Sequence, residues 1–260
     1  MKKVSIFATT ALAFAISSAA QAENNSLNID QSGTSNTSYA SQTGTTADGS
    51  ISDIYQSGSS NNARVAQNAN TPSEGHTSDV DQIGTGNYAE VGQSGEGQTG
   101  YTSTVSQEGN YNQADINQQG NYNLTSRLEQ GGNDNYALVN QVGQSSGSTI
   151  TQIGNGNYSD VYQDATSTSS TIDQNGQYNA AEVSQSQNTG FSESDILQDG
   201  TGNYANVSQI TARSDSSINQ AGNYNATNLT QLGSYNNSTV NQNGSSNYSE
   251  VYQNWIGINI

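Results

Sequence analysis

The chain is 260 residues long, with 22 acidic side chains against five Lys and Arg, a formal charge of −17, no cysteine and only 30% hydrophobic residues. So acidic a surface repels phosphate backbones, which binding proteins meet with clustered Lys and Arg, and this argues against nucleic acid as a partner. Without cysteine there is neither a disulfide framework nor a thiolate metal site, and so polar a monomer stays disordered unless something other than a large apolar core imposes order.

In chain order the first element is a secretory signal: Lys2 and Lys3, the apolar run from Val4 to Ile16, and the small residues Ala20 and Ala22 around Gln21, with cleavage expected before Glu23. The run is shorter than the roughly 20 residues that cross a bilayer, and nothing later is more apolar, so no membrane span is expected. Residues 23–260 keep only Arg64, Arg127, Arg213 and the lone His76 as basic side chains, and three arginines against 22 acids give a charge of −19.

Beyond the signal, pairs of Gln eleven residues apart recur ten times: Gln31 and Gln42, Gln56 and Gln67, Gln82 and Gln93, Gln107 and Gln118, Gln130 and Gln141, Gln152 and Gln163, Gln174 and Gln185, Gln198 and Gln209, Gln220 and Gln231, Gln242 and Gln253. From one pair to the next the spacing varies between 11 and 15 residues, so all length changes fall between units. Exposed connections tolerate such changes, which makes the basic repeat 22 residues read as two halves.

Two residues before the first Gln stands an aliphatic side chain in every unit, from Ile29 and Ile54 to Ile218 and Val240. Two before the second stand Ala40, Val65 and their successors to Val251. Four before the first Gln the residue is Leu27 and afterwards always Ser; four before the second it is Ala, Ser or Thr. These positions share parity, and a strand sends alternate side chains to one face, so each half turns small, aliphatic and Gln side chains inward. Residues two apart do not share a face of a helix, which excludes that alternative.

Two residues after each first Gln stands a glycine: Gly33, Gly58, Gly84, Gly109, Gly132, Gly154, Gly176, Gly200, Gly222 and Gly244. Glycine takes positive φ without steric cost, so the chain reverses here in every unit. Asn36, Asn61, Asn87, Asn112, Asn135, Asn157, Asn179, Asn203, Asn225 and Asn247 follow with the inward parity of the second half. Strand, arc and strand make one coil, and the variable joint lifts the chain to the next.

The expected fold class is all-β: an amyloid-like β-solenoid of ten 22-residue strand-turn-strand coils in two facing parallel sheets over residues 23–253, with an apolar C-terminal tail at 254–260. Stacking places like residues about 4.8 Å apart. There an inward amide donates to its copy in one neighbouring coil and accepts from the other, building Gln and Asn ladders. Replacing one Gln strands its neighbours at about 1–3 kcal/mol per buried unsatisfied group. The first and last coils leave strand edges with unfinished ladders, and the one proline, Pro72, lies in the longest joint rather than at either end. Head-to-tail, non-closing addition into a filament is therefore the expected activity.

Units such as Ser148-x-Ile150-x-Gln152-x-Gly154-x-x-Asn157-x-Ser159-x-Val161-x-Gln163 resemble the curlin repeat, and the resemblance covers about residues 25–253. It implies a curli-like functional amyloid: a secreted solenoid stacked into cell-surface fibres of the biofilm matrix that support adhesion and aggregation. It implies partners as well, namely copies of the chain itself, a nucleator subunit, an outer-membrane secretion pore and a periplasmic chaperone. Templating by terminal repeats, another family property, corresponds here to Gln31, Asn36 and Gln42 at one end and Gln242, Asn247 and Gln253 at the other. The family's usual targeting segment between signal and first repeat is all but missing, because Gln31 follows Glu23 closely.

Other features have plainer readings. Tyr88, Tyr136, Tyr158, Tyr204 and Tyr248 each follow the Asn of their coil and point outward, as cross-strand packing or, more sharply, as a contact for dye, matrix polymer or a neighbouring filament. Glu90, Asp115, Asp160, Glu182 and Glu250 share one outward column, read as solubility and restraint of premature pairing, with a weak cation site at Asp160 and Glu182 as the alternative. His76, near Glu74 and Asp79, reads as part of a solvated loop. No nucleophile, base and orienter share a recognisable spacing, and no Gly-rich phosphate loop precedes a helix, so neither an enzyme nor a cofactor is expected. The tail Trp255–Ile260 reads equally as a final half-strand over the last coil or as a contact for the next subunit or the cell surface. The alternative function is a monomeric secreted β-solenoid, an adhesin or ligand-binding protein, whose regular outward Thr arrays or grooved aromatic face the irregular outward columns lack.

Overall fold

The computed structural model describes residues 3–8, 12–17, 25–43, 49–69, 75–95, 100–189, 191–210 and 213–255. They form an all-β solenoid of two parallel sheets with 11 strands each, and no helix occurs among them. Consecutive strands alternate between the sheets, so every two strands complete one coil. Neighbouring coils stack in register, as in Gln130–Gln152–Gln174 and Gly132–Gly154–Gly176.

The expected parity is what closes the core. In Thr125–Asn133, Ser126, Leu128 and Gln130 are buried, whereas Arg127 and Glu129 point outward and pair with each other. Because the chain reverses at each arc, a Gln of one half faces a small residue of the other. Gln31 and Gln152 reach the hydroxyls of Ser38 and Ser159 at 2.7 and 3.0 Å, and Gln93 reaches Ser103 at 3.3 Å. A long amide set against a small side chain fills a width that two long side chains would overfill. Between these amide layers runs an aliphatic file, with Ile29, Val80, Ile116, Ile150 and Val207 fully buried.

At the arc the ten glycines have φ from +102° to +130°. They are also too close for a side chain: a Cβ on Gly154 would stand 1.9 Å from the Gly176 carbonyl oxygen. A second left-handed residue, which the sequence pattern did not reveal, stands just before each Asn: Ser35, Ser60, Gly86, Tyr111, Asp134, Gly156, Tyr178, Gly202, Tyr224 and Ser246, with φ from +54° to +68°. From Ser60 onward their N–H groups bond to the coil before, Ser60 to the Thr34 carbonyl and Tyr111 to the Thr85 carbonyl, each at 2.9 Å. The rings of Tyr111, Tyr178 and Tyr224 lie over Gly86, Gly156 and Gly202, where a Cβ would meet ring carbons at 2.7–2.8 Å.

The joint side holds a further inward position, six residues before each first Gln: Asn25, Ser50, His76, Tyr101, Leu124, Ser146, Thr168, Ser192, Ser214 and Asn236, all buried. It mirrors the Asn of the other half. His76 is therefore not a solvated loop residue. It is only 2% exposed, because the joint chain turns inward here to seal the end of the core.

Lys3–Ala8 and Leu12–Ser17 pair in parallel with Ser26–Gln31 and Thr37–Gln42, adding a coil below the first repeat. In the full chain the edge of the first coil is thus covered. Among the described residues the expectation of two open edges holds at the C-terminal end, where Asn237–Ser245 and Tyr248–Trp255 each have a neighbouring strand on one side only. Pro72, Glu74 and residues 256–260 of the tail lie outside the described residues.

Gly154→Ala should lower the unfolding midpoint by the equivalent of at least about 1–3 kcal/mol, the usual cost of a strained backbone residue. Gly131→Ala, where nothing lies within 4 Å and φ is not positive, should be neutral or slightly stabilising. Equal effects in denaturant titration would show that the arc does not limit stability.

Candidate functional site

The glutamines do more than line the core. In each sheet, nine consecutive bonds link Gln Nε2 of one coil to Gln Oε1 of the next, from Gln31–Gln56 to Gln220–Gln242 and from Gln42–Gln67 to Gln231–Gln253. Typical lengths are 2.8–2.9 Å. The second amide hydrogen crosses the core to a backbone carbonyl at the start of a facing strand, as from Gln152 to Tyr136 at 2.9 Å and from Gln163 to Gly147 at 3.0 Å. Each amide therefore ties coil to coil and sheet to sheet. The crossing bond has no signature in residue spacing.

The asparagines behave differently from the expected ladder. Asn Oδ1 accepts the backbone N–H of the Asn one coil on, as from Asn61 to Asn36 at 3.0 Å, while Nδ2 donates to a glycine carbonyl of that coil, as from Asn36 to Gly58 at 3.2 Å. Within this column, bonds between the side chains begin with Asn135 to Asn112 at 3.1 Å and then continue through every coil to Asn247. The shorter side chain stays close to its own backbone at the tight arc and so bonds there first.

Outside, the acids stack as expected. Arg64, Glu90, Asp115, Leu138, Asp160 and Glu182 are successive register partners, with Arg64 and Glu90 3.3 Å apart. Burial pushes the Asp115 carboxyl up, helped by the Glu90 charge, and burial likewise raises Asp160. In the other sheet burial raises Asp79 and Asp81, and the neighbouring carboxylates add to it. Among the described residues no three His, Asp or Glu side chains gather to hold a metal ion. Of the five outward tyrosines only Tyr136 and Tyr158 stack, at 5.5 Å, because Gln113, Ala180 and Ala226 interrupt the column. The Tyr88 hydroxyl donates to Glu90 at 2.5 Å, which with burial pushes its pKa up to about 12.

His76 stacks on Tyr101 at 4.5 Å, and its Nδ1 accepts the Tyr101 backbone N–H at 3.1 Å, which leaves the proton of the neutral ring on Nε2. That nitrogen has no hydrogen-bond partner among the described residues, although the Asn68 backbone carbonyl acts on the ring. Burial outweighs this carbonyl and brings the imidazole pKa down to about 4.

Two opposed pH dependences result. A folded histidine pKa below the unfolded value means that stability is lost as pH falls from about 6.5 towards 4, by up to about 3 kcal/mol. The raised aspartates act the other way, since the folded state takes up their protons more readily and gains stability as pH falls. His76→Asn should therefore gain on the wild type as pH is lowered from 8 to about 4.5, and Asp79→Asn with Asp81→Asn should help more at pH 7 than at pH 4. Denaturant titrations across pH measure both, and a pH-independent His76→Asn difference would show that the ring is not held neutral.

Residues 22–52 match the sequence profile described as Curlin associated repeat. No curated protein sequence matches the chain. The matched stretch holds Gln31, Gly33, Asn36 and Gln42, and the nine later units place the same residue types on the same rungs of the same two sheets. Residues 22–52 are thus similar to a curlin associated repeat, and the fold built by the later units agrees with that likeness.

Proposed function

We propose that the chain is a structural subunit which, once residues 1–22 are removed, self-assembles head-to-tail into extracellular, curli-like amyloid fibres of the biofilm matrix and so supports adhesion and aggregation. The last coil carries this reading. Gln242 and Gln253 end ladders that run unbroken from Gln31 and Gln42, on strands with no further strand beyond them among the described residues. Unpaired strand edges recruit other strands, and a contact that repeats the internal coil-to-coil interface generates a filament because it never closes. A nucleator subunit, an outer-membrane secretion pore and a periplasmic chaperone enter the proposal from family kinship. The family is structural rather than enzymatic, and among the described residues no helix is long and apolar enough to cross a membrane.

Incubating residues 23–260 with thioflavin and following them by electron microscopy tests the reading. The expected result is a lag, fibres, and a lag shortened by added seeds. A persistently dispersed monomer would favour a secreted solenoid that binds a ligand. Gln42→Ala or Gln253→Ala should slow assembly by roughly 5- to 100-fold, the equivalent of about 1–3 kcal/mol per stranded polar group. Asp115→Asn should leave the lag equal or shorter, and equal lags for all three variants would sink the ladder mechanism.

A further inference from the structure

The ladders have direction. In both sheets each Gln nitrogen donates towards the C-terminal end, as from Gln130 to Gln152 and from Gln141 to Gln163, both at 2.8 Å. In the Asn column the backbone N–H donates the opposite way, as from Asn157 to Asn135 at 3.0 Å. The two ends of the solenoid are therefore chemically unlike. The C-terminal tip presents Nε2 of Gln242 and Gln253, each with one hydrogen already on a strand carbonyl and no further Gln to take the other, together with Oδ1 of Asn247. The N-terminal tip presents the complement: Oε1 of Gln31 and of Gln42, which have no hydrogen-bond partner among the described residues although each residue is only 2% exposed.

Those two oxygens lie under the strands Lys3–Ala8 and Leu12–Ser17. The backbone register there sets Ala8 opposite Gln31 and Ser17 opposite Gln42, and neither residue carries an amide. The leader thus pairs with the tip through its backbone but leaves both ladders unextended.

We propose that the C-terminal tip of one copy is the donor surface for the N-terminal tip of a second copy, and that the leader strands occupy this acceptor tip in the uncleaved chain. The proposal rests on the fibre reading and adds its polarity and its control. Setting Gln242 on Gln31 and Gln253 on Gln42 uses a single sequence offset for both sheets, so one docking step completes both ladders at once. Two like tips would instead set nitrogen against nitrogen or oxygen against oxygen, and would pair strands antiparallel against the parallel order of every internal contact. A leader-bearing copy retains its donor tip. It joins a fibre at the acceptor end and then ends growth there.

Fibre fragments of residues 23–260, marked at one end and watched by fluorescence microscopy, test this; the described apolar core lies wholly within Leu27–Val240, so removal of the leader spares it. Adding the leader-bearing chain should stop growth at one end only. Adding a leaderless chain with Gln242→Glu and Gln253→Glu, which replaces donors by acceptors, should stop the other end only, and the two together should stop growth altogether. Gln253→Glu alone should act on the same end as the double variant, more weakly. The proposal is overturned if the leader-bearing chain elongates both ends, if either addition blocks both ends, or if both block the same end. Fragments that do not grow even with unaltered leaderless chain would overturn the fibre reading itself, and this inference with it.

Discussion

A primary amide carries two hydrogens and an acceptor oxygen, and repeated at the spacing of β-strands it can bond to its own copy on either side. In this chain one hydrogen of each Gln runs along the solenoid and the other across it, so the same side chain joins neighbouring coils and facing sheets. That double use explains how a chain with 30% hydrophobic residues holds a closely packed, buried interior. Burying an amide is unfavourable unless its groups are paired. Here the pairing comes from repetition itself, so losing one rung leaves partners unpaired on both sides of the gap. The arcs and small residues serve the same arrangement, by letting coils approach to strand spacing and by leaving room for an amide to reach over.

Surface and interior follow different logic. The inward Gln and Asn positions are uniform because each must match the coil above and below. Outward positions only have to be soluble, and they vary. The acid columns set like charges at strand spacing, and burial against neighbouring strands lifts several of them above the usual carboxylate range. Their repulsion opposes stacking at neutral pH, whereas the neutral ring of His76 is a stacking element that acid would disrupt.

The solenoid, its two parallel sheets and the inward Gln files were legible because they leave a period in the residues. Gln recurs, an aliphatic residue stands two before it, and Gly two after. What was not legible leaves no period. The inward position on the joint side is Asn25 at one end and Asn236 at the other but His76, Tyr101 and Leu124 between, so side chains of quite different chemistry share one buried place. Loop length shifts there too, and His76 accordingly read as a loop residue. The left-handed residue before each Asn is Ser, Gly, Tyr or Asp, united by backbone shape alone. The pairing of Lys3–Ala8 and Leu12–Ser17 with the first repeat was equally hidden, because those segments share its extended backbone and some of its apolar positions but none of its Gln, Gly or Asn.

The aromatic rings at the arc impose a rhythm of their own. Where Gly86, Gly156 and Gly202 are followed one coil later by Tyr111, Tyr178 and Tyr224, a bare backbone provides the seat for a ring. The inner ladder engages every coil, but this outer arrangement engages three pairs of neighbouring coils. Splicing out the coil of Gly202 would bring the rings of Tyr178 and Tyr224 onto adjacent rungs, whereas excising that coil together with its successor would keep the cadence. A Gly coil and the Tyr coil after it thus make one unit, which can leave the rod without setting one ring upon another.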